Sequence, residues 1–341
     1  MARYINDTNK VVFLHESGTY AVTSGPAHWP GQVLSHEIDE AENKIENRFI
    51  WAVTRNYDNF QLGPKDVTGT LSLRPQDMRY AFYAIGSVNT GSVSAAMTHV
   101  ATEVSTAGRL SAFTSGVYNT PFSFTLEDSK QAPGANNNFI RTVNGVIPNT
   151  VTITANQGEI VTLDMDYIAQ AINYGNGATT SMTEVGSNRP YLFSDVTLTM
   201  AGSVIDSAKN VTFEINNNLV GPHYLNGSRS IQAPFYGNKD YTLTVTADMT
   251  NDISWLYSQY YRAGSTFNAT FDLNADLPIA NGNQGPIAIG SQHSIFVLSG
   301  CVITSFSLPS EDEGIGEAEI EIRPKSVSAT EYQKTFLFNP F

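Results

Sequence analysis

Alternation of apolar and polar residues at period two runs through most of the chain. It is clearest in "VTGTLSLR" (Val67–Arg74), "PFSFTLED" (Pro121–Asp128), "TVTITA" (Thr150–Ala155) and "IVTLDMDY" (Ile160–Tyr167). Further on, "VTFEI" (Val211–Ile215), "YTLTVTADM" (Tyr241–Met249), "ITSFSL" (Ile303–Leu308) and "AEIEI" (Ala318–Ile322) show the same pattern. A two-residue period puts apolar side chains on one sheet face and polar ones on the other, so each stretch predicts a half-buried strand. Only "PQDMRYAFYAIGS" (Pro75–Ser87) and "TNDISWLYSQYYRAGS" (Thr250–Ser265) read as helices. Each opens at a plausible cap with an Asp in its first turn and ends near a glycine.

These elements recur in one order. "KDVTGTLSL" followed by the first helix parallels "KDYTLTVTA" followed by the second, aligning Asp66 with Asp240, Asp77 with Asp252 and Tyr80 with Trp255. "PFSFTLED" then parallels "TFNATFDL", and two later strands match with Gly145 against Gly300 and Val151 against Phe306. The pattern predicts a duplicated β unit. Gly63–Pro64 and Gly221–Pro222 precede the first matched strand of each copy, but sixteen residues separate Pro222 from Lys239 where Lys65 follows Pro64 directly. Residues 216–240, beginning "NNNLVGPHYLNGSRS", are therefore an insertion peculiar to the second copy. Val88–Asn119 is the corresponding insertion of the first.

Composition narrows the function. Charged residues are only 15%, the formal net charge is −13, and nineteen Lys and Arg are scattered, which argues against a phosphate-neutralising nucleic-acid binder. The single cysteine, Cys301, excludes an internal disulfide framework and reads as a small buried side chain. "MARYINDTNKVVF" lacks a signal-peptide core and no apolar run reaches membrane-span length, so a soluble, cytoplasmically made protein is expected. The six histidines show no metal-ligand spacing, and no nucleophile elbow, P-loop or dinucleotide fingerprint is present. "SEDEGIGEAEIEI" (Ser310–Ile322) lacks the glycine turn of a calcium loop. It reads instead as a strand with one acidic face (Glu317, Glu319, Glu321), matched in the first copy by Asp164 and Asp166. No enzyme activity, cofactor or metal is expected.

From Trp29 to Ser87, through "WPGQVLSHEID" and "ENRFIWAVTRNYDNFQLGPKDVTGTLSLRPQDMRYAFYAIGS", the chain resembles the tail tube proteins of long-tailed, non-contractile bacterial or archaeal viruses. A second match runs from "KNVTFEINNNL" to "FNATFDL". The resemblance, to the large type with two barrels per chain, implies an all-β fold of two tandem tube-type β-sandwich or barrel domains, each flanked by one helix. The expected boundaries are an N-terminal arm at 1–32, domains at 33–170 and 171–327, and a C-terminal arm at 328–341. It also implies a virion protein, assembled in the host cytoplasm, whose partners are itself, tape-measure, tail-tip and tail-terminator proteins. Three chains would close a ring, rings would stack into a hollow tail tube, and DNA would pass through without specific binding or membrane contact.

On that reading the insertion reaches a neighbouring subunit, which nominates Leu219, Tyr224, Leu225, Arg229, Phe235 and Tyr236 as interface residues. Phe336, Phe338 and Phe341 of the C-terminal tail join them. The alternative is a locally folded surface hairpin. A channel for DNA should repel phosphate, so Asp164, Asp166, Glu317, Glu319 and Glu321 are nominated for the lumen, the alternative being an outer wall. The competing function is a β-rich adhesin or carbohydrate-binding virion protein, with Trp29, Trp51 and Trp255 as stacking platforms.

Overall fold

The computed structural model describes residues 9–16, 20–47, 59–93, 96–103, 123–130, 138–182, 189–275, 292–308 and 316–333. The first part of the chain forms β1 (Lys10–Glu16), β2 (Thr23–His28), β3 (Gln32–Asn47), β4 (Asn59–Arg74), α1 (Arg79–Ile85), β5 (Gly86–Val93) and β6 (Ala96–Glu103). The long β8 (Phe139–Asn156) follows β7 (Phe124–Lys130) and leads to β9 (Thr162–Ala169) and β10 (Ala171–Gly175). The remainder forms β11 (Val196–Met200), β12 (Ser203–Val204), β13 (Ala208–Asn216), β14 (Asp240–Asp248), α2 (Asn251–Leu256), β15 (Phe267–Asn274), β16 (His293–Ser307), β17 (Glu317–Arg323) and β18 (Ser326–Gln333). The fold is all-β with two short helices, as the alternation indicates.

Antiparallel pairing builds a central sheet in the order β3-β4-β9-β8-β13-β14-β17-β16. Its first four strands repeat in its second four. Two flank sheets leave it through the long strands: β2-β1-β7-β8-β10 on one side and β12-β11-β15-β16-β18-β6-β5 on the other. β8 and β16 each belong to two sheets because a strand can turn a corner where a bulge and a glycine bend it.

The bends are repeated residue for residue. Gly145 has φ +69° and Gly300 φ +62°, a left-handed conformation that costs a side-chain-bearing residue. Beyond each glycine the register slips, between Pro148 and Thr150 in β8 and between Ile303 and Ser305 in β16. Equivalent slips fall between Val33 and Ser35 in β3 and between Ala208 and Asn210 in β13. The β7 slip at Phe124/Leu126 corresponds to the β15 slip at Phe267/Ala269, so Phe124 matches Phe267.

Alternation supplies the core. Val151, Ile153, Val211, Phe213, Leu243, Val245, Ile320 and Ile322 all point to the covered side of the central sheet and are buried. Where the two copies differ, volume is conserved: Gly69 lies opposite Tyr167 in the first, Leu243 opposite Ile322 in the second. A Cβ on Gly69 would come within 2.3 Å of the Tyr167 hydroxyl, so the tyrosine ring occupies the space a side chain there would fill.

α1 is shorter than the sequence indicates and is buried on every side. Tyr80 and Tyr83 pack edge-on against Phe13 of β1 and Phe124 of β7, while Phe82 meets Phe296 of β16 at 6.3 Å. The Asp expected in its first turn, Asp77, lies ahead of the helix and binds Arg79, with Nε donating to Oδ1 at 2.7 Å. Arg79 is 1% exposed and stacks over Phe13. Burial alone would lower its pKa; the adjoining Asp77 carboxylate reverses that, and the net shift is upward. α2 begins as indicated, with the Thr250 hydroxyl accepting from Ile253 N–H, and then widens into a π-turn over Tyr257–Tyr261.

Segments read from sequence as arms contribute to the sheets. β1 pairs with β7 from Lys10 to His15, and Val12 and Phe13 are fully buried, so this part of residues 1–32 is core. β18 pairs with β16 on one side and β6 on the other, burying Val327 and Ala329 within a span that includes residues 328–333. Its apolar alternation is masked in sequence by small residues. Trp51, Phe336, Phe338 and Phe341 lie outside the described residues.

A conformational test follows from the Gly145 bend. Its N–H donates to Glu16 Oε1 at 2.8 Å, and that buried carboxylate also accepts from Ser123, Thr125 and Ala21 N–H. A Cβ at residue 145 would lie 2.8 Å from the Tyr20 ring. Gly145→Ala is expected to destabilise the protein by about 1–3 kcal/mol, read as a lower urea midpoint. Gly202→Ala, at φ +85° with nothing within 4 Å of a Cβ, isolates the backbone part of that cost and should lose less.

Candidate functional site

Over the rows of Thr70 and Ser72 the uncovered side of the central sheet is polar, because its strands alternate in phase. Cross-strand rows run Glu37–Thr70–Asp166–Thr150 and Ser72–Asp164–Thr152–Glu214. On the second copy, Glu319 lies between Thr246 and Ser307, and Glu321 between Thr244 and Ser305. Carboxylates nominated separately in the two copies therefore share one face of one sheet. Asp164, Asp166 and Glu319 are exposed. Glu317 is different: Lys209 Nζ bridges it and Asp248 at 2.5 and 2.6 Å, so its charge is compensated locally. Glu321 accepts from Thr304 Oγ1 at 3.1 Å and from Arg323 Nε at 3.3 Å.

The seam between copies is the β8–β13 ladder, from Thr150 opposite Asn216 to Asn156 opposite Asn210. It continues past the strand ends, where Asn217 N–H donates to Asn149 O and Leu219 N–H to Asn149 Oδ1, both at 2.8 Å. Under the seam, Lys239 Nζ of the second copy donates to Ala84 O and Ile85 O at 2.8 and 2.6 Å. These carbonyls end α1 and have no intrahelical partner, so a cation there is favourable. At the other end of α1, Met78 N–H donates to the buried Glu331 of β18. Gln292 Nε2 ties Gln76 O and Arg189 O together.

The insertion crosses to the first copy within the same chain. Lys65 N–H donates to Arg229 O, Arg229 Nε donates to Gly63 O at 2.8 Å, and His223 contacts Asp66 Oδ1 at 2.9 Å. Leu219 is 9% exposed and Ile231 1%, so Leu219 is already buried in the single chain rather than awaiting assembly. Its backbone is fixed by the bulge residue Asn149, whose Oδ1 accepts from Leu219 N–H and which lies far away in sequence. Arg229 is held by Gly63 and reaches Glu42 at 3.4 Å. Tyr236 is half-buried, with Lys239 above its ring. Tyr224, Leu225 and Phe235 remain exposed at 48%, 110% and 38%.

Trp255, aligned with Tyr80 in the sequence, is 38% exposed on α2 and meets Tyr260 edge-on. Other surface aromatics escaped the sequence reading. Phe139 and Tyr174 form an exposed ring pair at 5.9 Å on the first copy. Lys239 was also missed, although the repeated Lys–Asp pair at 65–66 and 239–240 marks it. Trp29 donates from Nε1 to Gln76 Oε1 at 2.7 Å. Cys301 is buried. Among the described residues no group of three or more His, Cys, Asp or Glu could hold a metal, and no helix is long and apolar enough to cross a membrane.

The described surface thus combines an open acidic sheet face with exposed aromatic side chains, among them Trp255, Phe139, Tyr174 and Tyr224. Residues 8–292 match the family described as phage tail tube protein, and the chain belongs to that family. No curated protein matches it. It is a structural component of a phage tail, not an enzyme.

Two histidines near the first copy's edge, the buried His28 and the half-buried His36, set a pH dependence. Burial pushes His28 down to about 4, helped by the Arg79 charge, and burial pushes His36 down to about 4 as well. His36 Nε2 sits 2.9 Å from the Tyr167 hydroxyl, which can donate to the neutral ring. An unfolded chain takes up these protons near pH 6.5 and the folded chain near 4, so stability is full above pH 6.5 and falls as pH drops between those values. Urea midpoints at pH 7.5, 6 and 5 should decline in that order, with a shallower decline in His36→Gln.

Proposed function

We propose that three copies of this chain close a ring, that rings stack into a hollow tail tube, and that DNA passes along the acidic face of the central sheet. The observation that carries this reading is the repeated strand order of the central sheet, joined edge to edge by β8 and β13. One chain thereby presents two tube-type units side by side, and three chains present six. A head-to-tail contact of this kind generates either a closed ring or an open helix, depending on the rotation per unit. The tube would belong to a long, non-contractile tail, with tape-measure, tail-tip and terminator proteins as its partners in the virion and assembly in the host cytoplasm.

The lumen assignment rests on charge. DNA held by many favourable phosphate contacts moves slowly, whereas a negative wall keeps it off the surface over about 8 Å at physiological salt. Asp164, Asp166 and Glu319 are exposed on the open face, form no ion pair among the described residues, and are assigned to this role; Glu317 contributes less because Lys209 neutralises it. The insertion tip, with Tyr224, Leu225 and Phe235 exposed, is assigned to contact between rings.

Cryo-electron microscopy of tubes tests the stoichiometry. The expected result is true threefold symmetry with pseudo-sixfold strand positions and the β9 and β17 carboxylates facing the channel. A ring of six whole chains, or those carboxylates on the outer wall, overturns it. Asp166→Lys with Glu319→Lys is expected to leave tubes intact and slow DNA ejection from the virion. Replacing Tyr224 and Leu225 by serine should leave the thermal midpoint unchanged and shorten the tubes.

A further inference from the structure

The β8–β13 strand pairing has counterpart positions at the two outer ends of the chain, where among the described residues the strand edges are open. The register that matches Val151 with Phe306 also matches β13 with β3, so the β8 edge corresponds to β16 beyond Ile303 and the β13 edge to β3. Among the described residues, β3 pairs only with β4, and β16 from Val302 to Ser307 pairs only with β17. Lys239, which ends α1, corresponds to Lys65. α1 lies wholly inside the seam, whereas its counterpart α2 and the π-turn after it present Trp255 and Tyr261 to solvent at 38% and 37%. β18, which caps α1 through Glu331, corresponds to β10, where Tyr174 is 57% exposed.

From this correspondence we propose that a second copy of the chain covers the α2 face, repeating between chains the contact that α1 makes within one. The partner's β3 adds to the β16 edge with its Ile38 opposite Leu308, as Phe213 lies opposite Ile153 in the seam. The partner's Lys65 ends α2 as Lys239 ends α1. The exposed Trp255 and Tyr261 meet the partner's Phe139–Tyr174 ring pair. Both sides are prepared for it: Glu40 binds Lys65 and accepts from the Tyr174 hydroxyl, holding the two contact groups together. Leu308 is 47% exposed, a side chain whose seam counterpart Ile153 is fully buried.

The inference rests on the reading of the chain as a self-assembling tube protein and adds which surfaces meet and in which register. Opposed residues in an antiparallel pair have Cα atoms about 4.5–5.5 Å apart, within disulfide reach. A chain carrying Ile38→Cys and Leu308→Cys should therefore oxidise, once assembled, to a covalent closed trimer on a non-reducing gel. Ile45→Cys with Leu308→Cys, off register on the same strand, should stay largely monomeric. Tubes that form while the off-register pair cross-links equally well overturn the junction and leave the tube reading standing. A folded wild-type chain that forms no tubes under the microscope overturns both. Independently, Trp255→Lys at an exposed position should keep the wild-type thermal midpoint and raise the concentration needed for assembly about tenfold or more. Assembly at the wild-type concentration in that variant would sink the aromatic contact.

Discussion

The β8–β13 ladder is the contact on which the remaining architecture depends. It is an ordinary antiparallel pairing, yet it joins two copies of one unit into a continuous sheet, and each rung satisfies backbone groups that would otherwise form two bare edges. Because the pairing register is fixed, the apolar face of β13 meets that of β8, and Phe213, Ile153 and Val211 form one core rather than two. α1 can be buried on all sides only because that seam exists. Its Tyr80 and Tyr83 are covered by one flank sheet and its Phe82 by the other.

The two insertions reinforce the seam reciprocally. The first copy's hairpin, β5 and β6, is paired to β18 and so extends the second copy's flank sheet. The second copy's insertion runs back along the first copy's β3–β4 hairpin, held through Arg229, Gly63 and Lys65. Each copy thus completes the other. Polar ties at both ends of α1, from Lys239 and Glu331, add directionality that apolar burial lacks.

The polar face shows how a repeated unit acquires a property that neither copy has alone. Asp164 and Asp166 would be two surface charges on one hairpin. Joined edge to edge with Glu319 and Glu321, they become part of an acidic surface spanning eight strands. Fields from neighbouring charges on such a surface add, while the whole still decays over about 8 Å at physiological salt.

The sequence by itself determined the strands, their faces and the repeat, since period-two alternation is a local property that survives in any β context. Asp66 with Asp240, Gly145 with Gly300 and Val151 with Phe306 were legible as pairs, and the registers place them at equivalent positions. The acidic faces of β9 and β17 were legible for the same reason. What covers each face was not, because cover comes from residues distant in sequence. Leu219 is buried at a turn whose backbone is tied to the distant Asn149, and Tyr80 and Trp255 look alike in the chain yet one is enclosed and the other exposed. The same limit hid β1 and β18 among the presumed arms and shortened both helices. Only the tertiary structure decided which strand edges pair within the chain and which stay open, since edge pairing depends on geometry across the whole sheet rather than on the pattern along any one strand.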